Sequence, residues 1–234
     1  GIISSPKFNF KKVDISHGTV GKPVNKFIKL QIDKKLSLGE IKITTPWPGA
    51  MIGVINGKKF FDKYWDDNGN FKLFDLGKFN KKQLLEVFGR NDDVINIRGH
   101  RVGSGELESQ ILSIPNIKEV CVVPINDYLE GNRLTVFYSK SKNINNLKIE
   151  DDIEISLVRN FGSYLKPKFM IELSNLPKTK SGKILRRVLK LLTNNPKIVN
   201  IGDISTIIDK SIITEARKKI ITKLNEWKNI YRHN

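Results

Sequence analysis

The sequence has one cysteine, Cys121, so no disulfide can form within the chain. A reducing compartment is the default for such usage, and a cytoplasmic location is expected. Cys121 lies in the apolar run VCVVPI, which suits a small core side chain better than a nucleophile. Histidine is scarce too. His100 has no carboxylate or second histidine at metal-ligand spacing and reads as structural. No apolar run approaches the roughly 20 residues of a membrane span, and GIISSPKFNFKK has no signal-peptide core. An initiator Met is missing, which suits a fragment, a processed chain or a trimmed one. Acids are few: 24 Asp and Glu against 41 Lys and Arg leave a formal net charge of +17. That excess points to an anionic partner, yet the lysines are spread along the chain rather than gathered in a tail, as a solvated surface of biased composition would spread them. No aromatics interleave the basic helix face, so a nucleic-acid partner is not expected.

With 234 residues, 39% of them hydrophobic, the chain can bury a sizeable core as one large domain or two small ones. Residues 1–91 read as strands and turns. KFIKLQI and GEIKITT alternate and are separated by DKKLSL; GKKFFDKYW suits a short helix with Phe60, Phe61 and Tyr64 on one side. DDNGNFKLFDL places an Asn-Gly turn before an extended run, and LLEVFG closes the segment as a strand. These strands lack a complete core and read as the edge of something larger.

Residues 92–192 are better ordered and predict a compact α+β domain of order β-α-β-β-α-β-α, with a mainly antiparallel sheet flanked by helices. DVINI is a strand. SGELESQILSI is a helix that Ser104 can cap, with Glu106 and Glu108 in its first turns and Leu107, Ile111 and Ile114 as its apolar stripe. KEVCVVPI and RLTVFYS are strands, EDDIEISLVRNF a helix and KFMIEL a strand. The tail, 193–234, is polar with a last helix near TEARKKIITKLNEWK.

Two stretches carry chemistry. In LPKTKSGKILRR, Ser181 can cap a helix that starts at Gly182 and Lys183, with Ile184, Leu185, Val188, Leu189 and Leu192 as its apolar face. Arg186, Arg187 and Lys190 then form a wet face, and Lys178 and Lys180 stay unassigned. Lys183 would oppose the helix macrodipole, a placement that makes sense if an anion visits. In FGRNDDVINIRGHRVGSGELE, Asp92 and Asp93 precede a strand, and GHRVGSG forms a permissive loop with cations before a helix N-terminus, a second place for an anion.

Together the two stretches resemble the adenylate-forming enzymes: acyl-CoA synthetases, peptide-synthetase adenylation domains and luciferases. ITTPWPG, GTVGKP and NIGDISTIID are similar to the AMP-forming acetyl-CoA synthetase subgroup. The resemblance implies acetate, ATP and CoA as substrates, with Mg2+, and a domain rotation between adenylation and thioester formation. It implies Lys183 as the catalytic cation, Asp75 on the ribose hydroxyls, Arg90 and Arg101 on the nucleotide, and Asp92 as the hinge. Arg98, Gly99 and Arg159 lie where the family meets CoA, and the carbonyls of Leu112, Ile114 and Ile117 match a metal position. By the same resemblance, residues 1–91 are the β-rich end of a larger N-terminal domain, 92–192 the C-terminal lid and 193–234 its tail.

The sequence departs from that pattern at Phe74, where the family usually has Gly, and at Arg98, where acetate enzymes usually have a small residue. Ile114 replaces a residue that is often polar, and one residue is missing between Arg159 and Pro177. The family's Ser/Thr/Gly-rich phosphate loop and its Trp/Thr/Glu-rich segment occur nowhere in these residues. The expectation is a lid that needs an N-terminal domain, in cis or in trans, and is inactive alone. Propionate is a second possible acyl group, and a degenerate or split half kept for binding is a second possible role.

Overall fold

The computed structural model describes residues 4–5, 19–23, 27–32, 39–51, 55, 57–127, 130–141 and 148–232. The DKKLSL segment and the side chain of Phe60 lie outside them. The chain divides into two compact units, Gly1–Asp93 and Val94–Asn234.

The first unit contains β1 (Ser4–Ser5), β2 (Thr19–Pro23), β3 (Leu30–Ile32), β4 (Gly39–Ile43), α1 (Lys58–Tyr64), β5 (Phe71–Phe79) and β6 (Leu85–Arg90), and ends in a 3-10 turn, Asn91–Asp93. Its sheet runs β1-β2-β6-β5-β4-β3 with every pair antiparallel. The alternating apolar residues of β4, Ile41 and Ile43, are buried with Leu76 and Leu85. Aromatics seal the start of β5, with Phe71 against Tyr64 and Trp65 and edge-on to Trp47. The Asn-Gly turn forms as expected. The Asp66 carboxylate gathers the Asn68 and Asn70 amides and the Lys42 ammonium, chiefly Lys42, and these hold it well below the usual carboxylate range.

The second unit contains β7 (Val94–Ile97), β8 (His100–Gly103), α2 (Ser104–Leu112), β9 (Ile117–Asp127), β10 (Gly131–Lys140), α3 (Ile149–Phe161), a 3-10 turn (Ser163–Leu165), β11 (Pro167–Glu172), α4 (Arg186–Asn194) and α5 (Ser211–Arg232). Its main sheet is β11-β10-β9, with β9 and β10 antiparallel and β10 and β11 parallel through the α3 crossover. Helices cover both faces, which is why VCVV is apolar at every position. Val120 and Val122 pack with Leu107, Ile111, Ile153 and Leu157 on one face. Cys121 and Val123 pack with Val188, Leu189, Leu192 and Ala216 on the other.

Two local expectations are corrected. GHRVGSG is not a loop: His100–Gly103 pairs with Val94–Ile97 through a two-residue turn, Arg98-Gly99, with φ of +50° and +83°. Because β8 keeps the chain extended up to Gly103, that glycine occupies the N-cap of α2, and Ser104 is buried inside the helix without a capping bond.

Candidate functional site

Lys183 lies in a hairpin, not in a helix. Lys178 and Ile184 form an antiparallel bridge. The Thr179 amide donates to the Lys183 carbonyl at 2.9 Å, the Gly182 amide to the Thr179 carbonyl at 2.8 Å, and the Leu185 amide to the Pro177 carbonyl at 2.8 Å. Gly182 turns the tip at φ +81°, a left-handed geometry that an L side chain would strain. The Thr179 hydroxyl accepts the Lys183 amide at 3.2 Å and pairs with Ser181 at 2.9 Å. These bonds replace the expected helical turn, and α4 starts at Arg186 with Leu185 at its N-cap. Ser181 is therefore no cap, and Lys183 lies outside the first turn of α4. The tip residues Lys180, Ser181, Gly182 and Lys183 are exposed. The Lys183 ammonium makes no hydrogen bond or ion pair among the described residues.

The neighbouring cations are a wet face only in part: Arg187 and Lys190 are exposed, whereas Arg186 is half-buried. Lys178 pairs with Glu119 on β9, whose carboxylate also accepts the Leu176 amide at 3.1 Å. Arg186 forks onto Glu108 of α2 and donates to the Val122 carbonyl at 2.9 Å. Arg187 donates to the carbonyls of Ile201 at 2.7 Å and Asp203 at 3.2 Å. Of the basic helix residues read as solvated, Lys190 alone is exposed without such an anchor among the described residues. The pairing of Glu108 with Arg186 and of Glu119 with Lys178 had no signal in the sequence, because the partners lie 78 and 59 positions away.

The first unit brings Asp75 and Arg90 together as cross-strand partners on β5 and β6, 3.8 Å apart. Arg90 also donates to the Leu73 carbonyl, and its guanidinium lies 5.7 Å from the Phe74 ring. Phe74 holds φ +59°, so the backbone keeps the left-handed conformation that glycine favours while an aromatic ring occupies the position. Asp92 falls in the 3-10 turn just before the division of the chain.

In the second unit, Arg98 and Gly99 form the β7–β8 turn, and Arg98 is paired with Glu130. Arg101 is exposed on β8, opposite Asn96. Arg159 is exposed in the last turn of α3. His100 stacks on Tyr164 with ring centroids 4.4 Å apart, in keeping with its structural reading. Leu112, Ile114 and Ile117 share the connection from α2 to β9, where the Ile114 carbonyl already accepts the Ile117 amide at 3.4 Å. These carbonyls alone do not make a magnesium site, which needs about six oxygen donors. Among the described residues no group of three or more His, Cys, Asp or Glu could hold a metal ion, and no helix is long and apolar enough to cross a membrane.

Known proteins are similar to this chain in sequence and in fold. Residues 106–183 match the family model of the AMP-binding enzyme C-terminal domain. The acetyl-coenzyme A synthetase of Leptospira biflexa is 33% identical over 178 residues, 75% of this chain and 27% of that protein. That of Pyrobaculum arsenaticum is 29% identical over 227 residues, 93% of this chain and 33% of that protein. Among solved structures, the acetoacetyl-CoA synthetase of Streptomyces lividans superposes with a TM-score of 0.72 at 20% identity, over 88% of this chain and 32% of that one. ATP-bound MatB from Rhodopseudomonas palustris gives 0.66 at 21% identity, over 76% and 36%. The fold is thus that of the C-terminal domain of adenylate-forming ligases. Residues 106–183 carry the AMP-binding enzyme C-terminal domain, and the chain is similar to acetyl-coenzyme A synthetases, spanning about a quarter to a third of those relatives' length.

Proposed function

We propose that this chain is the C-terminal part of an AMP-forming acyl-CoA synthetase that uses acetate, ATP and CoA. The observation that carries the reading is an exposed lysine without a partner among the described residues, held at the tip of a tied hairpin inside a domain of this family. In the first step the acetate carboxylate attacks the α-phosphorus of ATP, and pyrophosphate leaves. Lys183 would stabilise the charge that builds on the carboxylate and phosphate oxygens. Asp75 would accept hydrogen bonds from the ribose hydroxyls, with Arg90 and Arg101 on the nucleotide. In the second step the CoA thiol attacks the acetyl carbonyl and AMP leaves. Arg98, Gly99 and Arg159 would meet CoA after a rotation about Asp92. Mg2+ would arrive with ATP. The proposed organisation is an adenylation-domain remnant up to residue 91, a lid over 92–192 and a tail over 193–234. A cytoplasmic location accords with the substrates.

The test is acetate-dependent ATP–pyrophosphate exchange by the 234-residue chain, alone and mixed with the N-terminal two-thirds of the Leptospira biflexa relative. Exchange only in the mixture, lost in Lys183→Ala, supports the reading, and robust exchange by the chain alone overturns the need for a partner segment. Propionate in place of acetate reads the acyl group. The Phe74 ring beside Asp75 supports a second reading, in which catalysis is lost and the surface serves as a binding module. No exchange in the mixture, with stable association of the two parts, selects it.

A further inference from the structure

The Lys183 hairpin has a third strand, and that strand comes from the tail. The Lys180 amide donates to the Thr206 carbonyl at 2.8 Å, and the Ile208 amide to the Lys178 carbonyl at 3.1 Å, on either side of a bridge between Thr179 and Ile207. Ile207 is 5% exposed and joins the core that contains Leu176 and Val188. The Ile208 side chain is 65% exposed, so its contribution is the amide. The strand is tethered upstream by Arg187, which holds the carbonyls of Ile201 and Asp203. On its other flank the hairpin is held by Glu119, through Lys178 and the Leu176 amide. Three separate stretches therefore fix a tip of four exposed residues.

We propose that residues 206–208, tethered by Arg187, are a positioning element that aims the Lys183 ammonium, an inference that rests on the catalytic role given to Lys183 above. A two-stranded ribbon is marginal by itself, whereas a third paired strand and a buried Ile207 suppress its twisting. Small displacements of a charge-stabilising group weaken the reaction far more than they weaken binding.

Ile208→Pro removes the one amide that bonds Lys178 and keeps an extended neighbour, while Ile208→Ala keeps the amide. Arg187→Gln releases the tether without touching the hairpin and serves if the proline variant does not fold. Deuterium uptake of the 176–187 peptide is followed in the full chain, with the thermal melt as a check on global stability. Uptake is expected to rise about tenfold in Ile208→Pro and Arg187→Gln and to stay level in Ile208→Ala. In the complemented exchange assay, kcat should fall roughly 10- to 100-fold with KM for ATP little changed. Unchanged uptake overturns the proposal. So does faster uptake with unaltered kcat, which would make the strand a fastening and not an aim. If the wild-type mixture shows no exchange, the catalytic reading fails, and the uptake comparison still decides whether the third strand holds the tip.

Discussion

Arg186 and Glu108 meet across the outer edge of β9, and between them they close both backbone groups of Val122. The Val122 amide donates to the Glu108 carboxylate at 2.7 Å and its carbonyl accepts from Arg186 at 2.9 Å. An open strand edge is thereby covered by an ion pair. Arg186→Met should cost about 2–3 kcal/mol, somewhat under the usual price of breaking a fully buried pair, because the side chains are 21% and 14% exposed. Glu108→Gln keeps an acceptor for Val122 and should cost about 1–2 kcal/mol. Urea unfolding measures both. A loss within about 0.5 kcal/mol for Arg186→Met would show the pair to be inert.

Glu119 should make stability depend on pH in the acid range. Burial pushes its carboxyl up, but the Lys178 ammonium and the Leu176 amide outweigh burial and hold it below the usual range. A lowered folded value means that the unfolded chain takes up the proton first. The stabilisation is complete above the ordinary glutamate value of about 4.3 and is lost as pH falls through the lower folded value. Glu215, held down by Ser174 and Lys219 against the same effect of burial, adds to the slope. Denaturation midpoints from pH 7 down to pH 3 should fall, and Glu119→Gln should be weaker at pH 7 with a shallower acid slope. An identical slope in the variant would remove Glu119 from the account.

Gly202→Ala should destabilise the tail by about 1–3 kcal/mol. Gly202 sits at φ +78°, and a Cβ there would lie 2.6 Å from the Arg187 guanidinium. The substitution both strains the backbone and displaces the tether to Ile201. Thermal melting of Gly202→Ala, of Arg187→Gln and of the double variant should show the two effects to be non-additive.

Arg98→Asn should stabilise the chain by about 0.5 kcal/mol, seen as a small rise in Tm. Arg98 pays for φ +50° in a two-residue turn where asparagine is at home. The ion pair it forfeits with Glu130 is 55% exposed on the arginine side and worth about 0–1 kcal/mol. A fall in Tm would mean that Glu130 contributes more than the turn costs.

The helices and long strands of the second unit were legible because their apolar periods are strict. Ile149, Ile153 and Leu157 mark one helix face, and the unbroken VCVV marks a strand covered on both sides. The hairpin at Lys183 was not legible, for a physical reason. Ile184 and Leu185 pack on the same core as Val188, Leu189 and Leu192, so the apolar spacing continues smoothly from hairpin into helix and hides the boundary. β8 was hidden by the glycines in and around it, Gly99, Gly103 and Gly105. Lys183, Asp75 and Arg90 could be singled out from the resemblance, whereas the pairing of Glu108 with Arg186, of Glu119 with Lys178 and of residues 206–208 with the hairpin was not legible, since side-chain and backbone pairing across tens of residues leaves no local pattern.

Helix α4 is pinned to β9 twice. Arg186 holds Val122 at one end, and Asn194 at the other accepts the Asn126 amide at 2.8 Å and donates to the Pro124 carbonyl at 3.0 Å. Eight helical steps advance about 12 Å, and the four strand steps from Val122 to Asn126 about 13 Å. Helix and strand thus act as two rulers with different graduations that coincide at both marks. One residue added to or taken from either ruler would turn or slide a mark out of register, so the lengths of these two segments can change only together.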